Sequence, residues 1–363
     1  GAIELVHDEP VQGQALLKVD IGEPTGLARM RPEYAVGSAK FLRNSGAEVI
    51  VAGDTTATYA GAYGYRNNTA EDVSTYLQLA RERGWSEQGG VNARFVLLDR
   101  PTTSTQGRYE FDEKQKHVRV QGVEHYEQFH VAGGFAAADF VINHAHLGLD
   151  GLLGLTGCVK SIAVGCSGSG GRIEMRRSLL PQFDSSLCNG CRECVESCPE
   201  GALQLDEGAA CPSVDKDLCC GCGRCEAVCL GNQHAVALKG RETADSGRAG
   251  EILAIHMADY TIGLMNNRWK DVVHVVHMYS LGDHCDFGNK RPEPVIKHDL
   301  GFVVGKNPFA VDAVAARIFL NALSEHDYLI DESFLKSIKT AAEYVHRTYG
   351  IVSEAPVEKI SLS

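Results

Sequence analysis

Eight cysteines between residues 188 and 229 carry the most specific chemistry in the chain. They fall as Cys188-x2-Cys191-x2-Cys194-x3-Cys198 and Cys219-x2-Cys222-x2-Cys225-x3-Cys229, two copies of one spacing set 31 residues apart. Three thiolates on a tight loop can hold three corners of an iron–sulfur cubane, and the fourth cysteine of such a run reaches the other cluster. That rule predicts two [4Fe-4S] clusters, one on Cys188, Cys191, Cys194 and Cys229 and the other on Cys219, Cys222, Cys225 and Cys198. Gly190, Gly221 and Gly223 inside the loops would let backbone amides approach the sulfides, where hydrogen bonds tune the potential. Zinc is the alternative metal, but its sites close with paired cysteines and four ligands in total, which a duplicated run of three plus one does not fit. Cys220 stands beside Cys219, yet only Cys219 keeps the two-residue spacing to Cys222.

Over about residues 184–240 the sequence resembles the bacterial two-cluster ferredoxins, with Pro199 after Cys198 and with Leu230 where many of them have proline. The resemblance implies a small α+β electron-transfer module. From Asp184 to Lys239 the segment holds nine acidic and four basic residues, a local charge of −5 before any cluster is counted. An acidic module docks on basic surfaces, so the expected partner is a redox protein or the basic flank of the same chain.

A second concentration of reactive side chains lies upstream. His144 and His146 follow a run, Asp139 to Asn143, that reads as a buried strand, and the C-terminal edge of a sheet is where α/β proteins place ligands. Alternation along the strand puts both imidazoles on one face, where they are candidates to share a metal or bind substrate; the bland alternative is a pair of satisfied structural histidines. Lys160 is a candidate catalytic charge, for a small anionic substrate or as a proton carrier, against the alternative of an ion pair. The loop Gly165-Cys166-Ser167-Gly168-Ser169-Gly170-Gly171, followed by Arg172, Arg176 and Arg177, has amides and cations suited to an anion. It lacks the strand–loop–helix GxGxxG setting of a nucleotide site and serves equally well as a hinge. Cys166, Cys285, Asp286 and Arg172 form a candidate second site for a metal or a redox thiol if they converge with His144. Otherwise Cys166 and Cys285 are small apolar packing residues, as Cys158 and Cys211 are expected to be.

The run from Asn143 through Lys160 to Cys166, its Gly/Ser continuation and Arg172-Ile-Glu-Met-Arg-Arg177 resembles the signature of the domain of unknown function 362 family. Gly22-Glu23-Pro24, the segment Thr55 to Arg66, Asp283-His284-Cys285-Asp286 and Gly305-Lys306-Asn307-Pro308 through Asp312 fall where that family has related motifs. Ser161 departs from the usual Asn after Lys160, His144-Ala145-His146 replaces a Lys-containing turn, and Arg176 stands where His is frequent. Ferredoxin-type inserts at this position occur in the family. The resemblance also implies polar pocket contacts from Glu23, Thr55 and Arg66, although for Thr55 ordinary turn chemistry is the simpler expectation. Because the family has no agreed reaction, it implies architecture rather than chemistry.

The elements that must position these residues alternate. Ala15 to Val19, Glu48 to Ala52, Arg94 to Leu98 and Asp139 to Asn143 read as buried strands, with helical spacing over Arg31 to Asn44 and Thr69 to Arg83 between them. After the cysteines a helix is expected over Glu251 to Met265 and strands over Val272 to Val276 and Leu300 to Val304. A last helix is expected from Pro308 to about Leu320, capped by Asn307. Short apolar strands separated by helices predict an α/β fold, a largely parallel or mixed sheet with helices on both faces. The cysteine segment, 181–245, is expected as a ferredoxin-like α+β module inserted into one discontinuous host domain, 1–180 and 246–363.

A formal charge of −12 disfavours nucleic acid and anionic membranes as partners, and no stretch approaches the roughly 18 apolar residues that span a bilayer. Clustered rather than dispersed cysteines argue for metal ligation in a reducing compartment, hence a cytoplasmic protein. Two functions follow from the residues. One is an oxidoreductase whose clusters relay single electrons to a host pocket; the other is a carrier whose host domain only docks a partner.

Overall fold

The structure, a computed structural model, describes residues 2–22, 29–56, 70–100, 113, 115–150, 152–230, 233, 235–240, 249–281, 296, 298–325, 332–354 and 357–359. In chain order the elements begin with β1 (Gln14–Lys18), α1 (Pro32–Asn44), β2 (Val49–Asp54), α2 (Ala70–Glu82) and β3 (Arg94–Leu97). A hairpin of β4 (Gln115–Arg119) and β5 (Gln128–Ala132) leads through α3 (Gly133–Ala137) to β6 (Phe140–His146). The short hairpin β7 (Gly148–Asp150) and β8 (Gly154–Thr156) precedes α4 (Cys158–Ala163) and α5 (Ser169–Arg176). The cysteine segment supplies β9 (Leu179–Phe183), α6 (Glu193–Glu196), β10 (Leu203–Gln204), β11 (Ser213–Val214), α7 (Arg224–Leu230) and β12 (Val236–Gly240). The chain ends with α8 (Ala249–Met265), β13 (Val272–Met278), β14 (Gly301–Gly305), α9 (Pro308–Glu325) and α10 (Lys336–Tyr349).

Six strands form one sheet in the order β14-β13-β6-β1-β2-β3. All neighbours are parallel except β14, which runs against β13. The strand order reverses between β1 and β6, the arrangement of a doubly wound α/β sheet, in which the crevice for ligands opens at the strands' C-terminal ends. Successive side chains explain the two covering layers. Leu17, Ile142 and Val275 pack with Ala35, Phe41 and Leu42 of α1 and with Tyr76 and Ala80 of α2. Their neighbours Leu16, Val141 and Val272 pack on the other face with Ile162 of α4 and with Leu253, Met257 and Tyr260 of α8. The fold is the expected α/β one. Among the described residues, no helix is long and apolar enough to cross a membrane.

Several elements outrun their sequence limits, and for β6 and α9 packing gives the reason. β6 continues through His146 because β13 pairs with it residue by residue, Val275 opposite His144 and His277 opposite His146. α9 continues to Glu325 because Ala322 and Leu323 still have apolar neighbours to bury against. Its start is as expected: the Asn307 Oδ1 accepts the amides of Phe309 at 3.0 Å and Ala310 at 3.3 Å.

The cysteine segment builds its own small sheets. β9 pairs antiparallel with β12, Leu179 opposite Gly240, and β10 pairs with β11. Strands from before it (β1, β2, β3, β6) and after it (β13, β14) meet in the large sheet.

Replacing Asn307 by Ala is expected to lower stability by about 1 kcal/mol, the usual worth of a helix cap, read as a shift of the urea midpoint at constant m-value.

Candidate functional site

The two cysteine loops are internal copies in three dimensions. Asp184 and Asp215, 31 residues apart, each open a loop: their carbonyls accept the amides of Cys188 and Cys219, both at 3.0 Å. Their carboxylates cap the turn by accepting from Ser186 at 2.8 Å and Asp217 at 2.9 Å. Both loops then take left-handed backbone at the third and fifth positions, Gly190 and Arg192 in the first, Gly221 and Gly223 in the second. The Asp-x-x-Leu-Cys repeat that encodes this start is visible in the sequence. Spacing arguments built on cysteine alone pass over it.

Members of the quartets that the crossing rule groups lie near one another. Cys188, Cys191, Cys194 and Cys229 line one cavity with about 370 Å³ of empty space, solvent at its mouth included, walled by Phe183, Leu205 and Val228. In the other quartet, burial pushes the Cys225 thiol well up, and Cys222, Cys219 and Cys198 push it further. Burial likewise raises Cys194, reinforced by Cys191 and Cys188. The two long-range members receive amide hydrogen bonds at sulfur, Cys198 from Ala202 at 3.3 Å and Cys229 from Ala235 at 3.1 Å. Four sulfurs around a cavity, with amides directed at sulfur, suit a cubane held at its corners. Among the described residues, no three or more His, Cys, Asp or Glu side chains are grouped to hold a metal ion. Cys220 is buried, with its thiol 3.7 Å from Glu200 Oε1.

On the host sheet, His144 and His146 do share a face, and the structure adds His277 and Tyr279 from β13. His144 Nδ1 meets His277 Nε2 at 2.9 Å with the rings stacked, and His146 Nε2–H donates to the Tyr279 carbonyl. That last bond fixes the tautomer and leaves Nδ1 of His146 as a bare acceptor. It is buried without a partner, as is Nε2 of His144. Burial lowers His144 to about 3 and His146 to about 4, the latter against the opposing pull of the Tyr279 carbonyl. His277 is pushed well down by burial and by the other two imidazoles. The cluster is therefore neutral at pH 7. The opposite face of the same strands carries Asn143, which donates to His274 Nδ1 at 3.1 Å and accepts from Ser161 at 2.7 Å.

Lys160 does not join the histidines. It sits on α4, on the Asn143 side of the sheet, and its ammonium lies 2.7 Å from Asp150 Oδ2 in a half-buried ion pair. Burial would raise Asp150, but Lys160 and Arg176 hold its carboxyl well below the usual range. Strand alternation is the reason for the separation: neighbouring residues of β6 point to opposite faces. Lys160 instead edges a largely apolar cavity of about 360 Å³, open solvent included, between α4, α8, α9 and α10, with Asp312 in its wall. Asp312 accepts the amides of Cys158 at 2.6 Å and Val159 at 2.9 Å, and burial raises it to about 7.

Arg172 and Cys166 are buried rather than presented to a ligand. Arg172 donates to Asp99 at 2.7 Å and to the Thr56 carbonyl at 2.6 Å. Burial would raise Asp99, but Arg172 and Arg100 hold it below its usual range. Burial pushes the Cys166 thiol up to about 12, against the nearby Lys18 ammonium. The glycine loop is packed, not open. Its Gly168 and Gly170 amides donate to His130 and Gln115, and a Cβ on Gly165 would stand 2.5 Å from the Ser161 carbonyl and 2.8 Å from Lys18 Nζ.

Lys18 and Asp54, at the C-terminal ends of β1 and β2, escaped the sequence reading because each sits at the end of a run that looks purely apolar. Lys18 Nζ lies 3.0 Å from Asp54 Oδ1 and donates to the Val19 carbonyl, with a side chain 1% exposed. Asp54 also accepts from the amides of Ile21 and Thr55 and from Tyr76. Burial alone would lower Lys18, but Asp54 together with Cys166 and Asp20 raises it, and the net shift is upward, so the ammonium stays charged. The Thr55 amide donates to Asp54 Oδ1 at 2.8 Å and its carbonyl accepts from Tyr76 at 3.2 Å. Glu23, Arg66, Cys285 and Asp286 lie outside the described residues.

The family model described as Domain of unknown function (DUF362) matches residues 15–317. No curated protein and no solved structure matches the chain.

Buried imidazoles make stability depend on pH. Below about pH 6.5 the unfolded histidines bind protons that the native ones refuse, so stability falls as pH drops from about 6.5 towards 4 and is fully present above. Asp312 opposes this, since its raised native value favours the folded state at low pH. A His146→Phe variant is expected to flatten the slope of unfolding free energy against pH between 6.5 and 4.5; an unchanged slope would contradict the neutral assignment.

Removing one partner of the Lys18–Asp54 pair should strand a buried charge. Lys18→Met is expected to cost about 3–5 kcal/mol, and adding Asp54→Leu to recover a large part of it, as measured by chemical unfolding of the single and double variants.

Proposed function

The chain belongs to the family of the domain of unknown function (DUF362), and from that premise we propose an iron–sulfur protein that relays single electrons. In this reading residues 181–245 are an inserted ferredoxin-type domain, and 1–180 with 246–363 its host. Two [4Fe-4S] clusters are held by Cys188, Cys191, Cys194 and Cys229 and by Cys219, Cys222, Cys225 and Cys198, and a redox partner protein exchanges electrons with them. The observation that supports the reading is the crossing of the loops, in which Cys229 lines the cavity of the first loop and Cys198 is near enough to Cys225 of the second to raise its thiol.

When bound, such clusters supply one-electron transfer. The chain's own residues do the rest. The loops fix the thiolates, the amides of Ala202 and Ala235 stabilise negative charge on sulfur, and the Arg176 guanidinium acts on Cys222 from the end of α5. α5 also carries Arg172, anchored to Asp99, and so joins the second loop to the C-terminal edge of the host sheet. At that edge the neutral pair His144 and His146, with bare buried nitrogens, is the proposed host end of the route, a substrate or metal site of an oxidoreductase. Lys160 and Arg172 are matched by carboxylates, which favours the histidine edge over an anion cradle. A reducing cytoplasm is the proposed compartment, on the clustered rather than dispersed spacing of the cysteines.

The same neutralised cations give the carrier reading a foothold, since Lys160 and Arg172, the cations nearest the candidate anion sites, are already matched by carboxylates of the same chain. Anoxic purification with iron, sulfide and metal assays separates the outcomes. The expected result is about eight irons per chain, with an electron paramagnetic resonance signal after dithionite. Cys229→Ser should damage the cluster of the first loop and Cys198→Ser that of the second, while Cys220→Ser leaves both. Zinc at these sulfurs, or material that stays colourless after reconstitution with iron and sulfide, would end the reading. Eight irons, no other metal and no change on His144→Phe would leave the carrier.

A further inference from the structure

The two cysteine loops share a backbone but not a setting. Their left-handed positions have φ values of +73° and +67° in the first loop and +66° and +80° in the second. Yet Asn189, Cys191 and Arg192 are exposed and Gly190 half-buried, whereas at the matching positions of the second loop Cys220 and Gly221 are buried and Cys222 and Gly223 half-buried; only the next pair, Glu193 and Arg224, is exposed in both. The cover comes from the host. A Cβ on Gly221 would stand 2.1 Å from the Arg176 carbonyl oxygen and 3.2 Å from that of Leu179, so the loop lies directly on the C-terminal end of α5. The sequence follows the setting. The fifth position is Gly223 where a Cβ would press on Leu238 at 3.0 Å, and it is a full arginine, in strained left-handed backbone, where the loop faces water.

Charge and apolar surface follow the same asymmetry. Leu187, 48% exposed, stands beside Cys188, with Asp184, Glu193 and Glu196 around it. The Arg192 hydrogen bond to the Leu205 carbonyl, at 3.1 Å, brings exposed Asp206 and Glu207 to the same rim. Exposed acidic side chains around an exposed apolar one are the complement of a basic face with an apolar centre, and such complementarity acts chiefly on the rate of encounter.

Resting on the cluster reading above, we infer that the first loop is the outer terminal of the relay, the docking face for an external electron-transfer protein with a basic surface. The second loop is the inner terminal, sealed against the host. Electrons from outside reach Cys188, Cys191, Cys194 and Cys229 before they reach the quartet on α5. The second loop has its own exposed Leu218, Asp215 and Asp217, and what sets it apart is that Gly221 lies against the Arg176 carbonyl at the end of α5.

The test uses the loaded full chain, reduced with dithionite and mixed in a stopped-flow instrument with a basic c-type cytochrome as probe. Glu196→Lys with Glu207→Lys is compared with Asp217→Lys with Glu358→Lys, which changes net charge by the same amount elsewhere. The first pair is expected to slow the second-order rate at low salt by about tenfold or more and to abolish its salt dependence, with the control pair close to the parent. Iron per chain must be unchanged in both; if the reversals cost iron, the Gln versions give the same comparison at half the charge change. Equal slowing by both pairs, or none by the first, overturns the outer-terminal assignment while leaving the clusters in place. A chain that never takes up iron removes the cluster reading itself.

Discussion

The constraint on which the rest depends is the return of the chain to the strand it left. β6 ends at His146, and its partner β13 begins only at Val272, yet the two pair in parallel over their whole length. Closing so long a loop costs entropy that grows only slowly with length, provided the interposed residues do not hold the ends apart. The cysteine segment meets that condition by pairing its first strand with its last, so that Leu179 and Gly240 stand opposite each other. A segment whose ends coincide can be carried on the edge of a sheet without disturbing it, and α5 and α8 then leave and rejoin the host on the same side.

The host edge is electrostatically closed. Two of the cations that the sequence offered for anion binding have a carboxylate at hand, Asp99 for Arg172 and Asp150 for Lys160, and the buried Lys18 has Asp54. Buried charges persist only when so paired. What remains chemically open is a group of uncharged imidazoles, kept neutral by burial and with nitrogens that lack partners. Neutral imidazole is the form that binds metals and accepts protons, and that is the property the fold has preserved at this edge.

Between the two lies α5, which is both the last host helix before the insertion and the surface on which the second cysteine loop rests. One face of a single short helix therefore anchors Arg172 inside the host and its end supports the thiolate loop. That arrangement sets the polarity of the insertion: one loop inward, one outward, from two stretches of nearly identical backbone.

Much of this was legible in the residues. Cysteine spacing alone leads to the proposed quartets, because three ligands on one turn would be completed by a distant fourth. Short apolar runs alternating with helices predict the sheet and its two coats, because strands buried on both faces read as mostly apolar runs. Asn307 and Pro308 announce α9, because capping is local chemistry. The tertiary structure alone decided matters in which distant residues compete. It paired Lys160 with Asp150 and Arg172 with Asp99, turned His144 towards His277, and covered Cys220 but not Asn189. Spacing describes what a stretch can do with itself; which charge is neutralised, and which of two equal loops meets water, is settled by what another part of the chain lays against it.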